Sequence, residues 1–215
     1  MHYRRLKTVL QEFQARLNES RQIAFDASLW VSPGAASAKA LITPARREQL
    51  VQLAFLRAFL AWEGFLEESF VLYLAGQMPP KGRRPSRYAF PPNLKVAKEW
   101  LKPEGRPFAE WTNPDIVSDR AQRFFRGGRP YTPVLSSNRS ALNEANTLRN
   151  AIAHQSEYSQ SKFETLVRDK LGAYPKGLTV GGFLCTLVLH SSPPVDFFES
   201  YLEKLEIASR RLVPV

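Results

Sequence analysis

The sequence predicts an all-α fold, a helical bundle, and three observations carry that prediction. Apolar residues recur at helical spacing in stretches spread along the chain. One stretch, from Thr43-Pro44 to Ala75, is apolar around more than a narrow stripe, as a central bundle helix is. A single run, residues 178–189, is β-branched enough for a strand, and it reads equally as a short helix capped by Thr179. With 215 residues, 44% of them hydrophobic, the chain can bury the core of one domain spanning 1–215.

The elements follow in order. Leu6, Val9, Leu10, Phe13 and Leu17 make one face of an amphipathic first helix, with Arg4, Arg5, Lys7, Glu12 and Arg16 opposite. Small residues and turn formers over 31–42 read as a linker. Thr43 then supplies an N-cap hydroxyl and Pro44 the first helical position. The long helix that follows carries Leu50, Leu53, Phe55, Phe59, Leu60, Trp62, Phe65, Phe70 and Tyr73 and is stopped by Gly76 and Pro79-Pro80. Its breadth of apolar surface suits a helix shared between a core and a dimer interface.

Residues 79–114 are proline-rich and basic, with a short helix predicted near Leu94–Leu101. An insertion this long between helices is more often functional than spare. Arg83, Arg84 and Arg87 stand in it beside Tyr88 and Phe90. Asn113-Pro114-Asp115 opens the next helix, which Gly127-Gly128 ends. Arg120, Arg123 and Arg126 recur every third residue there, as a basic ridge able to track phosphates. Ser136-Ser137 can cap the following helix and Ser159 or Ser161 the one after, which Gly172 stops. Pro193-Pro194 is read as the start of a last helix with Phe197, Tyr201, Leu205, Ala208 and Leu212 inward.

Charge and composition narrow the function. Thirty lysines and arginines against 20 acidic residues leave a net +10, which favours a polyanionic partner, most simply nucleic acid. One cysteine, Cys185, excludes an internal disulfide and a cysteine-rich zinc site and fits a reducing cytoplasm. The start of the chain lacks the continuous apolar core of a signal peptide, and no stretch is apolar enough for a membrane span. No glycine-rich phosphate loop and no His-Glu-x-x-His pair are present, so neither metal nor cofactor is expected. Ser191-Ser192 beside His190 lacks the surroundings of a serine hydrolase elbow. Nor does the chain show helix-turn-helix spacing.

The chemistry concentrates in Leu148-Arg149-Asn150-Ala151-Ile152-Ala153-His154, at the end of a segment whose apolar positions are Ala141, Leu142, Ala145, Leu148 and Ile152. Arg149 offers a fixed cation, Asn150 an amide, and His154 an imidazole able to move protons near neutrality. Such a set can cleave an RNA backbone without a metal. The spacing poses a geometric problem. Asn150 and His154 share a helical face, whereas Arg149 lies about a hundred degrees round from Asn150. Three solutions are open: long side chains converging at the helix edge, a helix that ends near His154, or two such helices meeting in a symmetric dimer.

The arginine, four residues and histidine resemble the signature of HEPN-domain ribonucleases. Ala61-Trp62-Glu63-Gly64-Phe65-Leu66-Glu67 in the long helix and Lys162-Phe163 to Leu184, with Gly172 and Thr179-Val180-Gly181, extend the resemblance to the RiboL-PSP-HEPN branch. It covers most of residues 45–205. The resemblance implies an all-α HEPN bundle, here with the basic insertion between the long second helix and the motif helix. It also implies a homodimer with a composite site and metal-independent endoribonuclease activity, in several members as a toxin or a phage-defence effector. An antitoxin or regulatory protein would then be a further partner. Some relatives use a tyrosine two residues after the histidine; this chain has Ser156 there and Tyr158 four after.

The expected roles follow. His154 is the general base or acid, Arg149 neutralises charge on the phosphorane, Asn150 orients the phosphate or imidazole, and Glu63 orients His154 or Arg149. Arg83, Arg84, Arg87, Arg120, Arg123 and Arg126 are expected to hold the RNA backbone. The alternative is a catalytically silent HEPN-like dimer that binds RNA or a protein in the same cleft.

Overall fold

A computed structural model describes residues 5–31, 42–105, 107–154, 156–189 and 191–215. Among these residues the regular structure is helical: α1 (Leu6–Val31), α2 (Pro44–Leu74), α3 (Leu94–Trp100), α4 (Pro114–Phe124), a 3₁₀ turn at Arg126–Gly128, α5 (Tyr131–Ser137), α6 (Arg139–Ala153), α7 (Glu157–Leu171), α8 (Val180–Leu184) and α9 (Phe197–Leu212). Extended pairing among them is confined to two isolated bridges, Arg87 with Phe125 and Leu187 with Asp196. The all-α expectation therefore holds. None of these helices is long and apolar enough to cross a membrane.

The chain divides into two compact units. The described residues up to Ala15, with Ala61–Asn143 and Lys204–Val215, form the first; those of Arg16–Leu60 and Glu144–Glu203 form the second.

The first unit is built on aromatic packing. Phe13, Trp62 and Phe65 stack with centroids 5.0–5.8 Å apart. Farther along α2, Phe70 is fully buried against Trp111, Phe125 and Tyr131, with centroids at 5.4, 5.0 and 4.8 Å. Such rings bring large apolar area, and the offset and edge geometries add to it. The polar ends of the buried tyrosines are satisfied, as burial demands. Tyr131 Oη pairs with Ser69 Oγ at 2.9 Å, and Tyr73 Oη donates to the Leu212 carbonyl at 2.7 Å. Burial pushes both phenols above their ordinary range. Tyr73→Phe leaves that carbonyl without its donor, so a loss of about 1–2 kcal/mol is expected in chemical denaturation.

In the second unit, Phe55 of α2 packs against Phe59 and against Tyr201 of α9, and Phe163, Phe183, Phe197 and Tyr201 continue the aromatic core. Tyr201 Oη donates to Glu144 at 2.9 Å, and Lys170 meets the same carboxylate at 2.8 Å.

Most predicted helix ends are observed, and local chemistry explains them. Thr43 Oγ1 accepts from the Arg46 amide before α2, and Asn113 Oδ1 accepts from Asp115 before α4. Gly172 closes α7 in the left-handed conformation. The ambiguous run 178–189 divides: Val180–Leu184 is the helix α8 with Thr179 as its cap, and Leu187 forms the antiparallel bridge with Asp196. Residues 32–41 of the predicted linker lie outside the described residues.

Three helix starts differ. Ser136 and Ser137 lie inside α5, and Asn138 separates it from α6 by donating to the Val134 carbonyl. Ser156, rather than Ser159 or Ser161, caps α7. The last helix begins at Phe197, because Asp196 accepts from the Glu199 amide at 2.8 Å and caps it there. In each case a side chain that reaches a free amide or carbonyl outweighs a residue that is merely compatible with a helix end.

Candidate active site

The site grows from the second half of α6. Its apolar positions, Leu142, Ala145 and Leu148, are buried. That rotation leaves Asn146, Arg149 and Asn150 half-buried along the polar flank. The helix stops at Ala153. The last regular bond runs from the His154 amide to the Asn150 carbonyl at 2.8 Å, and the Ser156 amide then turns back to the His154 carbonyl at 2.7 Å. Ser156 at once caps α7. His154 is therefore exposed at a tight joint between two helices and is free of the helical direction that would have pointed it away from Arg149.

Of the geometric solutions, the early helix end is observed within the single chain. Arg149 Nη1 stands 3.2 Å from His154 Nε2 and donates to Asn150 Oδ1 at 3.1 Å. A guanidinium only donates, so in this contact Nε2 is the acceptor. Asn150 Nδ2 in turn donates to Asn146 Oδ1 at 3.3 Å. The result is a row: Asn146, Asn150, Arg149, His154. Asn146 is a member that sequence reasoning missed. Its spacing of four residues before Asn150 was the available signal, since positions i and i+4 face each other on a helix.

The arrangement has direct chemical content. One cationic N–H donor serves an amide oxygen and an imidazole nitrogen, both of which a phosphate oxygen can replace. The ring nitrogen nearest the cation carries the lone pair and can take a proton.

The other expected residues are distributed as follows. Glu63 is half-buried on α2 and belongs to the first unit, whereas Arg149, Asn150 and His154 belong to the second. Tyr158 is exposed on the first turn of α7, with Lys162 Nζ 5.5 Å from its ring centre. Arg83, Arg84, Arg123 and Arg126 are exposed.

Two of the arginines expected to bind RNA, Arg87 and Arg120, are turned into the fold. Arg120 is 8% exposed; it donates to the Glu110 carbonyl at 2.8 Å and lies 4.4 Å over the Trp111 ring. Arg87 is half-buried and donates to the Leu74 carbonyl at 2.6 Å, closing the C-terminus of α2. Burial lowers the pKa of both guanidinium groups, with Arg84 adding to the effect at Arg87. Both cations are engaged in holding the fold. The ridge itself is also broken, because α4 ends at Phe124 and Phe125 is extended, so Arg126 is on the 3₁₀ turn.

Comparison with family models, with curated proteins and with solved structures found no match for this chain.

Proposed function

We propose that this chain is a metal-independent endoribonuclease of the HEPN type, with Arg149, Asn150 and His154 as its reactive set. The observation that carries the reading is the shared Arg149 Nη1 contact to Asn150 Oδ1 and His154 Nε2, on an exposed helix joint. A phosphodiester entering the joint displaces these two acceptors from the guanidinium with its non-bridging oxygens. That frees His154 Nε2 to face the ribose.

His154 Nε2 then takes the proton of the 2′-hydroxyl as its oxygen attacks phosphorus. Arg149 offsets the negative charge that accumulates on the phosphorane, where a preorganised donor contributes most. The bond from phosphorus to the 5′-oxygen breaks, and that oxygen needs a proton. In a homodimer with two such joints facing one cleft, the same histidine of the second copy, in its imidazolium form with a proton on Nε2, supplies it. The products are a 2′,3′-cyclic phosphate and a 5′-hydroxyl, and no water is consumed. Such an activity suits a toxin or phage-defence effector kept in check by an antitoxin or other regulatory protein.

The test compares wild type with His154→Ala on total RNA and a tRNA pool in EDTA, with mapping of the new ends. Cyclic-phosphate ends from wild type alone are expected, with a rate loss of about a thousandfold in the variant, the scale of a general acid–base group. RNA that stays intact and binds both proteins equally would replace the enzyme with a catalytically silent binding module. Equal cutting by both proteins would remove His154 from the chemistry.

A further inference from the structure

The burial of Arg87 and Arg120 leaves the basic surface of the first unit with a different organisation from a plain arginine ridge. Ser86, Arg87 and Tyr88 run extended against residues 124–126. The Tyr88 amide donates to the Phe124 carbonyl, and the Arg126 amide donates to the Ser86 carbonyl, both at 2.9 Å. Arg87 and Phe125 form the antiparallel bridge between these two bonds. Side chains alternate across such a pair. Phe125 is fully buried on Phe70, and Arg87 turns inward to the Leu74 carbonyl. On the other side of this pair Tyr88 and Arg126 are both exposed.

The inward arginine is tightly seated. A Cβ at Gly76 would come within 2.8 Å of its Nη1 and Nη2, and Gly76 has a φ of +93°. Arg87 also backs the second ring: its guanidinium carbon lies 5.0 Å from the centre of Phe90. Tyr88 thus leaves the paired stretch 86–88, and Phe90, two positions on, rests against the Arg87 guanidinium. Tyr88 is 61% and Phe90 69% exposed. Residues 79–90 contain four lysines and arginines, residues 120–130 contain four arginines, and neither run contains a carboxylate.

We propose that Tyr88 and Phe90 form a platform on which unpaired bases of single-stranded RNA stack, while Arg83, Arg84, Arg123 and Arg126 hold the flanking phosphates. Cationic side chains around exposed rings are what single-strand recognition requires, because every base has a face to stack and each nucleotide carries a charge. A duplex keeps its bases inside the helix and cannot use the rings. An acidic protein surface would satisfy the arginines and leave the rings in water. This assignment rests on RNA being the substrate, yet it concerns binding and stands apart from the cleavage chemistry.

The experiment measures anisotropy of a labelled oligouridylate in EDTA with full-length His154→Ala protein, then with Tyr88→Ala, Phe90→Ala and both added. Each ring removal is expected to weaken binding about tenfold and the pair about a hundredfold. Tyr88→Phe is expected to bind as the parent does, and the affinity for a duplex of equal length to stay unchanged in every variant. Because both rings are exposed, the unfolding midpoint serves as a control that should not move. Unchanged oligouridylate binding in the double variant would overturn the platform, as would equal losses on single strand and duplex. Tighter binding of single-stranded DNA than RNA would overturn the choice of RNA. Ring-dependent binding by a protein whose wild type cuts nothing would leave the platform standing and remove the nuclease.

Discussion

Arg149→Ala is expected to lower RNA cleavage about a thousandfold and to weaken RNA binding, whereas His154→Ala lowers cleavage alone. The reason lies in what Nη1 does. It is the one group in the row that touches both the amide and the imidazole, at 3.1 and 3.2 Å. In the proposed reaction, removing it takes away the donor to the phosphorane, and with it the contact to the His154 ring. Loss of a single preorganised donor of this kind costs about a hundred- to a thousandfold, and the lost positioning places the expectation at the upper end. Arg149→Lys separates charge from shape. A lysine keeps the cation but lacks the planar fork that serves two acceptors at once. It is expected to recover most of the binding while cleavage stays about a hundredfold down. Single-turnover cleavage beside anisotropy reads both quantities. An Arg149→Ala protein that cuts at the wild-type rate would move the active site elsewhere.

Gly181→Ala is expected to give a large loss of stability, about 3 kcal/mol, seen as a fall of roughly 6–12 °C in the unfolding midpoint. A Cβ built there lies 2.2 Å from the Glu48 carbonyl oxygen and 2.6 Å from its carbon. Both are backbone atoms of α2, so no side-chain rotation relieves the clash. The approach is further locked by Thr179, whose hydroxyl donates to Glu48 Oε2 at 2.6 Å while accepting from the Gly182 amide at 2.8 Å. Adding a methyl must push α8 off α2 and strain that cap. The neighbouring Gly182→Ala is the control. Its Cβ would meet only side-chain atoms, Leu178 Cδ1 at 3.2 Å and the Glu48 and Thr179 oxygens at 3.3 Å. These can shift, and a cost below about 1 kcal/mol is expected. Equal midpoints for the two variants would contradict the close approach at Gly181.

The buried faces were legible because helical periodicity is local. Leu6, Val9, Leu10, Phe13 and Leu17 on α1 are buried as the spacing implies, and so are Phe197, Tyr201, Leu205, Ala208 and Leu212 on α9. The arginines show where periodicity stops being enough. A step of three residues turns a helix by about 300°, so each arginine of a three-spaced run is rotated some sixty degrees from the last. That drift is enough to turn Arg120 inward beside Val117 and Ala121, while Arg123 stays in solvent. Arg126 then leaves the helix altogether at the extended Phe125.

The sequence by itself determined the helical class, the apolar faces and the residues from which the active site is proposed. These depend on contacts within one or two turns, which residue type and spacing encode. The tertiary structure decided how those residues are used. Arg149 reaches His154 because α6 ends at Ala153 and Ser156 restarts the chain as α7. Arg87 is drawn inside and Tyr88 left outside because residues 86–88 pair with 124–126, a partner more than thirty residues away. Such a pairing leaves no local periodicity to read, since its register is set by where two distant segments meet.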